Sequence, residues 1–311
     1  SAITGVVVMK HLAFATAMSF VRSSLQPKPP SLGGLQIAGG TRQAGYNVSG
    51  LSAIGDQAII YGKTKVGGVV VFKEATDNNK FLHIIVALAG HQCQEIETVF
   101  LNDESLTLNA SGFATAPSKY ANKVRIKKAI GTDSQQADAD LVAESDGKWT
   151  ADHRLQGICY VYARLEFDAD AFPNGEPTIT AVVKGKQVLN ANTQATEWTQ
   201  NSAYILRDYL TSSYGLGVDA TEIDDTLFVA AANICDENVS LSAGGTEKRY
   251  TTNGSFTTGS KPKDVIDALT RAMGGTIWYA QGKWRVRAAA YVTPVLTFTE
   301  DDLLAGFTIS T

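Results

Sequence analysis

Between about residues 48 and 196, short apolar segments rich in β-branched and aromatic residues alternate with turn signals. This pattern predicts strands joined by tight connections. QAIIYGKTKV and GGVVVFKEAT meet at Gly67-Gly68, and Asn102-Asp103 marks a turn inside ETVFLNDESLTL. Farther along, GICYVYARLEFDADAFPNGEPTITAVVKGKQV predicts a hairpin-like pair of strands with its turn at FPNGEP. We therefore predict one or more β-rich domains over residues 48–196, with a small insertion at residues 103–150.

Helical periodicity replaces the strand pattern after about residue 197. Apolar residues repeat on one face at 205–210 and again at 227–235, and SKPKDVIDALTRAMGG forms a third helical segment. In that third segment Ser260 is the predicted N-cap and Pro262 occupies the first turn. A hairpin, TIWYAQGKWRVRAAA, follows with its turn at Gln281-Gly282. Residues 197–311 are thus predicted to form an α+β domain.

The stretch SAYILRDYLTSSYGLG at residues 202–217 raises the question of a ligand, because a helix ends there in two glycines. A phosphate-binding loop places its glycines before a helix, where free N–H groups face the anion. Gly215 and Gly217 instead follow the helix, at the carbonyl end that repels anions. We predict that Gly215 is a left-handed C-cap and that the stretch is a helix–turn–helix corner without a ligand.

The N-terminal residues differ from the rest of the chain. Residues 3–21, ITGVVVMKHLAFATAMSFV, are apolar but contain Lys10 and His11 near the middle. A central Lys costs roughly 3 kcal/mol in a membrane. The sequence therefore favours an apolar helix within residues 1–25 that packs against partner subunits, over a membrane span. Three prolines and five glycines in residues 26–47 predict an extended arm.

Charge and cysteine usage exclude several classes of protein. The 311 residues include 27 Lys and Arg against 31 Asp and Glu, a net charge of −4. Proteins that coat nucleic acid carry a strong basic excess, so no specific nucleic-acid site is predicted. Cys93, Cys159 and Cys235 form no CxxC pair, which excludes zinc-ribbon and thioredoxin-like motifs. We predict that they are small buried hydrophobic residues.

Titratable residues cluster without completing a known catalytic or metal-binding pattern. Asp138, Asp140 and Glu144 lack the Gly and Glu spacing of a calcium loop, which favours the solvated start of a short helix over a metal site. The triplet at 152–154, Asp-His-Arg, favours a structural loop, because neighbouring side chains on an extended segment diverge. His83 and His91 are predicted to be structural.

No nucleophile elbow, Walker loop, HExxH zinc motif or strand-borne GxGxxG is present in the sequence. A glycoside-hydrolysing pair of carboxylates remains an open alternative, because Asp and Glu are plentiful and the sequence does not single out two of them. We predict that the chain is not an enzyme. No catalytic, cofactor-binding or metal-binding residue is assigned, and no cofactor is expected.

The helical corner resembles the tail-tip hub proteins of long-tailed phages, the family that includes the phage lambda tip attachment protein. The resemblance lies in an Asn-x-Ala start at Asn201, a helix ending in Tyr-Gly-Leu-Gly, and a second helix ending at Cys235-Asp236. KRYTTNGSFTTGSKPKDVIDALTRAMGGTIWYAQGKWRVRA is similar to the family's next unit. IIYGKTKVGGVVVF, KFLHIIVALAGH, GKWTADHRLQGICYVYARLEFD and FPNGEPTITAVVKGKQV are similar to the same class of tail proteins. The similar motifs run in the same order from about residue 55 to residue 311.

This resemblance implies a structural role in a virion and a fold of hub-type β-barrel or β-sandwich domains followed by a smaller α+β domain. It implies a homotrimer that closes the distal end of a siphophage tail tube and supports host attachment and genome delivery. The implied partners are the distal tail protein ring, the tape-measure protein, and other tail-tip proteins and fibres. Relatives meet the host cell surface through fibronectin-like and receptor-binding regions, which do not follow within these 311 residues.

Two other functions stay open at this point. A tail-associated cell-wall hydrolase would need a carboxylate pair or metal cluster in a cleft. A membrane-anchored bacterial surface protein would use residues 3–21 as its span.

Overall fold

The computed structural model describes residues 55–291, so the predicted helix at 1–25 and arm at 26–47 lie outside the described residues. Residues 55–291 form eighteen strands and four α-helices. The strands of the first part are β1 (Ala58–Tyr61), β2 (Lys63–Gly67), β3 (Val69–Thr76), β4 (Phe81–Ala89), β5 (Glu95–Leu101), β6 (Glu104–Ser105), β7 (Thr107–Leu108), β8 (Ala114–Ala116), β9 (Val124–Ala129), β10 (Cys159–Glu166), β11 (Ile179–Lys184), β12 (Gln187–Leu189) and β13 (Thr196–Trp198).

The remaining elements lie mostly after residue 200. The helices are α1 (Ala139–Glu144), α2 (Ser202–Thr211), α3 (Asp225–Cys235) and α4 (Pro262–Arg271). The last strands are β14 (Asn238–Ser240), β15 (Thr246–Lys248), β16 (Gly254–Thr257), β17 (Thr276–Ala280) and β18 (Lys283–Arg287). The chain is therefore strand-rich, with three of its four described helices in the C-terminal part, as an α+β class predicts.

Two four-stranded antiparallel sheets pack around one core in the first part. Their strand orders are β3-β4-β10-β9 and β2-β11-β5-β6. Ile84 and Val161 of the first sheet share a buried cluster with Val99 and Ala181 of the second. The resemblance implied either β-barrel or β-sandwich domains. Residues 55–291 form a two-sheet sandwich and contain no closed barrel.

A second small core covers the outer face of the first sheet. Leu141 of α1 and Trp149 pack there against Tyr160 and Tyr162 of β10. Because both faces of the sheet are covered, β4 and β10 are buried almost continuously and lack the alternation of a half-exposed strand. The covering segment includes α1, the short helix predicted to start near Asp138 and Asp140.

Two strand assignments differ from the prediction. β10 and β11 are not a hairpin: β10 pairs with β4 and β9, whereas β11 pairs with β2 and β5 in the other sheet. β2 and β3 are joined at Gly67-Gly68 as predicted, and they lie in different sheets. Gly62, at φ 62°, divides QAIIYGKTKV into β1 and β2. β10 and β11 are apolar and mostly buried, so their residue pattern does not identify their partners.

The C-terminal part has its own core, formed by the three longer helices and the β17–β18 hairpin. Leu206 of α2, Phe228 of α3 and Leu269 of α4 are buried in it together with Val286 of β18. α4 begins after Lys261 without a side-chain cap, so the predicted cap at Ser260 is wrong. The Ser260 hydroxyl instead accepts a hydrogen bond from the backbone N–H of Thr257 and closes a turn.

Strand β1 connects the two parts. It pairs with β16 along four residues, although about 190 residues separate them in sequence. Ile60 points into the sandwich core, whereas Ile59 and Tyr61 point into the C-terminal core. The predicted domain boundaries at 48, 196 and 197 stay predictions, but one strand from before residue 196 contributes to the core that follows it.

Candidate interaction surface

Asn201 joins the two helices of the predicted corner. Its side-chain oxygen caps α2 by accepting hydrogen bonds from the N–H groups of Ala203 and Tyr204. Its side-chain nitrogen donates to the Ala232 carbonyl oxygen at 3.0 Å and to the Asp236 carboxylate at 2.8 Å. The start of α2 is thereby tied to the end of α3, and the Asn-x-Ala and Cys-Asp motifs meet in space.

The two glycines after α2 have different roles from those predicted. Gly217, at φ 62°, adopts the left-handed conformation. Gly215 does not, so the predicted left-handed C-cap at Gly215 is wrong. A Cβ atom on Gly215 would lie 1.8 Å from the Tyr209 carbonyl oxygen, so this position needs glycine for close backbone approach. Both glycines shape the turn that leads the chain away from the carbonyl end of α2.

A half-buried ion pair lies where this corner contacts the sandwich. The Lys186 ammonium, just after β11, donates to both carboxylate oxygens of Asp208 on α2, at 2.8 and 3.0 Å. It also donates to the Tyr214 hydroxyl at 2.9 Å. The Tyr61 hydroxyl of β1 donates to the same Asp208 carboxylate. We call these four residues, with Ser212, the polar junction.

Electrostatics within the polar junction favour the charged lysine and the neutral tyrosine. Burial lowers the pKa of Lys186, but the adjacent Asp208 and Tyr214 outweigh burial and leave that pKa above its usual value. Burial, followed by the charge of Asp208, raises the pKa of Tyr61 well above its usual value. Lys186 therefore stays protonated near neutral pH and is unavailable as a general base for Ser212. The arrangement stabilises an interface between two cores.

The predicted acidic cluster fastens α1 to the sheet. Asp138 caps α1 by accepting from the N–H of Leu141. Glu144 accepts two hydrogen bonds from the Arg125 guanidinium, at 2.9 and 2.7 Å, and Asp140 pairs with Lys127 at 3.0 Å. The predicted helix start is confirmed, but Asp140 and Glu144 pair with basic side chains of β9 rather than being merely solvated.

The predicted structural histidines are confirmed. The His83 ring bonds the Thr76 hydroxyl at 2.9 Å and the Tyr162 hydroxyl at 2.8 Å. Burial lowers the pKa of His83 to about 4. His91 accepts the backbone N–H of Ile60 through Nε2 at 2.9 Å. His153 accepts the Thr150 N–H in the predicted loop, which is exposed.

The cysteines are buried and free, as predicted. Burial raises the pKa of Cys235 to about 11. The neighbouring Cys159 and burial raise that of Cys93. Thiols with raised pKa values are poor nucleophiles near neutral pH.

In residues 55–291 no group of three or more His, Cys, Asp or Glu side chains is arranged to hold a metal ion. No helix between residues 55 and 291 is long and apolar enough to cross a membrane.

Exposed aromatic residues lie on the β17–β18 hairpin. Tyr279 is 53% exposed and Trp278 is 37% exposed, and both lie on β17. The Tyr279 ring meets the Trp284 ring edge-on at 5.3 Å, and the Tyr279 hydroxyl donates to Glu222 at 3.3 Å. Aromatic side chains with a fixed orientation are typical of protein interfaces, which makes this hairpin a candidate interaction surface.

Sequence reasoning recognised the corner but missed the polar junction. Tyr61 and Lys186 come from strand segments far from Asp208 in sequence, and no spacing rule joins them. The available signal was Lys186 itself, a charge placed between Gly185 and an apolar strand. A lysine that is partly removed from solvent favours an acidic partner, which the sequence alone does not identify.

Comparisons with known proteins show a remote similarity to solved structures. No protein-family profile matches the chain, and no curated protein matches it. The chain is similar to a chain in the virion of a native gene transfer agent particle, with 14% sequence identity and a TM-score of 0.47. The match covers 97% of this chain and 67% of that chain.

Proposed function

We propose that this chain is a structural component of a phage or phage-like virion, and specifically the hub of a siphophage tail tip. In this role it is not an enzyme. It forms a homotrimer that closes the distal end of the tail tube, contacts the distal tail ring and the tape-measure protein, and supports host attachment and genome delivery together with other tail-tip proteins and fibres.

The observation that supports the proposal is the direct contact between the motifs of the resembled family. Asn201 of the Asn-x-Ala motif donates to Asp236 of the Cys-Asp motif at 2.8 Å. Tyr214 of the Tyr-Gly-Leu-Gly motif belongs to the polar junction. Residues that carry the resemblance therefore hold one corner together, which is the behaviour expected of a shared structural unit.

The exposed hairpin suits a role in assembly. Obligate interfaces are large and rich in aromatic side chains. Trp278 and Tyr279 present such side chains on a strand supported by the C-terminal core. We expect this surface to be buried against a neighbouring protein in the assembled tail tip.

Immunogold labelling tests the proposal. Antibodies raised against the full chain would be applied to particles from an induced lysate of the source strain, with pre-immune serum as the control. We expect gold only at the distal end of the tail. Label elsewhere on the particle contradicts the tail-tip assignment, and unlabelled particles with the antigen in the cell envelope contradict the virion role altogether.

A further inference from the structure

Two of the buried cysteines lie side by side in the sandwich. Cys159 begins β10 and pairs with Ala89 at the end of β4. Cys93 follows Ala89 by four residues, in the loop between β4 and β5. Both cysteines belong to the same buried cluster, and their thiols are in hydrogen-bonding contact. Because 65 residues lie between them in sequence, the fold brings them together.

Backbone contacts hold the loop of Cys93 against the start of β10. The Cys93 N–H donates to the carbonyl oxygen of Ile130 at 2.8 Å, and Ile130 directly follows β9, the neighbour of β10 in the sheet. A Cβ atom on Gly131 would lie 2.8 Å from the Cys159 nitrogen and 3.1 Å from the His91 carbonyl oxygen. The two cysteine-bearing segments therefore meet at this glycine, and the backbone on both sides positions the sulfur atoms.

The surroundings of the pair do not fit two other chemistries of thiols. His91 Nδ1 lies 3.9 Å from the Cys93 sulfur, but His91 Nε2 accepts the Ile60 N–H, so Nδ1 of the neutral ring carries the proton and faces the Gln92 carbonyl oxygen. His91 therefore does not act as a base for Cys93. Among residues 55–291 the pair also belongs to no group of three or more side chains arranged to hold a metal. Oxidation to a disulfide is the chemistry that two thiols in contact can perform together.

We propose that Cys93 and Cys159 form an intramolecular disulfide when the chain meets a low-molecular-weight disulfide such as oxidised glutathione, and that the thiol pair is the reduced form of this site. The bond would tie the β4–β5 loop to β10 and close a loop that contains β5 to β9 and α1. A cross-link across a long loop restricts the unfolded chain and stabilises the folded one. The proposal goes beyond the proposed function and holds whether or not the chain is a tail-tip hub, because it concerns two residues of the sandwich.

The reaction consists of two thiol–disulfide exchanges. Cys93 reacts first, because its neighbours Gln92 and Gln94 are exposed, whereas Cys159 lies within a buried strand. The Cys93 thiolate attacks one sulfur of oxidised glutathione and releases one glutathione thiolate. The Cys159 thiolate then attacks the Cys93 sulfur and releases the second. Two S–H bonds break and one S–S bond forms in the protein, and two protons and two electrons pass to the oxidant, which leaves as two thiols.

Alkylation of the full chain with and without oxidation tests the proposal. The reduced chain would be incubated with oxidised glutathione at about pH 8.5, where thiolates are more abundant than at neutral pH, then denatured and alkylated with iodoacetamide. We expect one alkyl group per chain, on Cys235, in place of the three on the reduced chain. Mass spectrometry should find tryptic peptides 81–119 and 155–164 linked to each other. Dithiothreitol should restore all three alkylation sites.

Each of the other outcomes overturns the proposal. Three alkyl groups after oxidation would mean that the pair does not react. Glutathione retained on Cys93 or Cys159 would mean that the second thiol does not reach the first. A disulfide that includes Cys235 or a second chain would mean that the native contact does not direct the oxidation.

Urea denaturation gives a second readout. Oxidation should raise the unfolding midpoint by about 1 M in the wild type and in Cys235→Ala, a control that removes the third buried thiol. The midpoint of Cys93→Ala should not respond to the same treatment. A disulfide that lowers the midpoint would show that the native positions of the two sulfur atoms do not fit the bond, and this result also overturns the proposal.

Discussion

At the scale of single residues, His83 makes the sandwich sensitive to acid. The imidazole is fully buried between Thr76 and Tyr162, and burial lowers its pKa to about 4. Glu144, Arg164, Arg125 and Asp146 also act on it electrostatically, but burial dominates. Below pH 6.5 the unfolded chain takes up a proton at this residue that the folded chain does not. Its contribution to stability is therefore present above pH 6.5 and is lost as the pH falls towards 4.

We expect His83→Gln to remove this part of the pH dependence. The difference in the free energy of unfolding between wild type and variant should shrink by roughly 3 kcal/mol between pH 7 and pH 4, measured by urea denaturation at each pH. His153→Gln, in an exposed loop, should follow the wild type. A pH dependence that is the same in His83→Gln and the wild type would show that His83 takes up its proton over the same pH range in the folded and unfolded chains, which contradicts this account.

At the scale of elements, the turn after α2 contains two glycines that are needed for different reasons: Gly215 for close backbone approach and Gly217 for a positive φ angle. Gly215→Ala brings a Cβ atom to 1.8 Å from the Tyr209 carbonyl oxygen, so the backbone must move. We expect a loss of about 2–3 kcal/mol in the free energy of unfolding. Gly217→Ala meets no atom within 4 Å and only adopts a positive φ, which costs about 1 kcal/mol. Urea denaturation of both variants measures the order, and a larger loss for Gly217→Ala would contradict this account.

Elements whose geometry is set locally could be predicted from the sequence. Asn102-Asp103 and Gln281-Gly282 adopt the positive φ angles of tight hairpin turns, and the hairpins lie where these residues predicted them. The partner strands of β10 and of β11 could not be predicted, because strands buried on both faces fit several partners equally well. The same limit applies to the candidate site. Asn201 has a local capping signal, whereas Tyr61 and Lys186 meet Asp208 only through the packing of distant strands.

At the scale of the whole molecule, β1 makes the stability of the two cores interdependent. Ile59 and Ile60 are neighbours in sequence but are buried in different cores, at 1% and 0% exposure. Truncation of either side chain loosens a strand that both cores share. The loss of stability then extends to the other core through the β1–β16 ladder and the polar junction, because Tyr61 of β1 belongs to both.

We expect Ile59→Ala and Ile60→Ala each to cost about 2–4 kcal/mol, with one cooperative unfolding transition in both variants. In hydrogen exchange, Ile59→Ala should reduce protection in β2 and β11 of the sandwich as well as in α2 and α3, although its side chain touches only the C-terminal core. Ile266→Ala, buried in the same C-terminal core but on α4, serves as the control and should reduce protection mainly in the helices. Exchange changes in Ile59→Ala confined to residues after 197 would mean that the two cores unfold independently and that β1 is a linker rather than a shared strand.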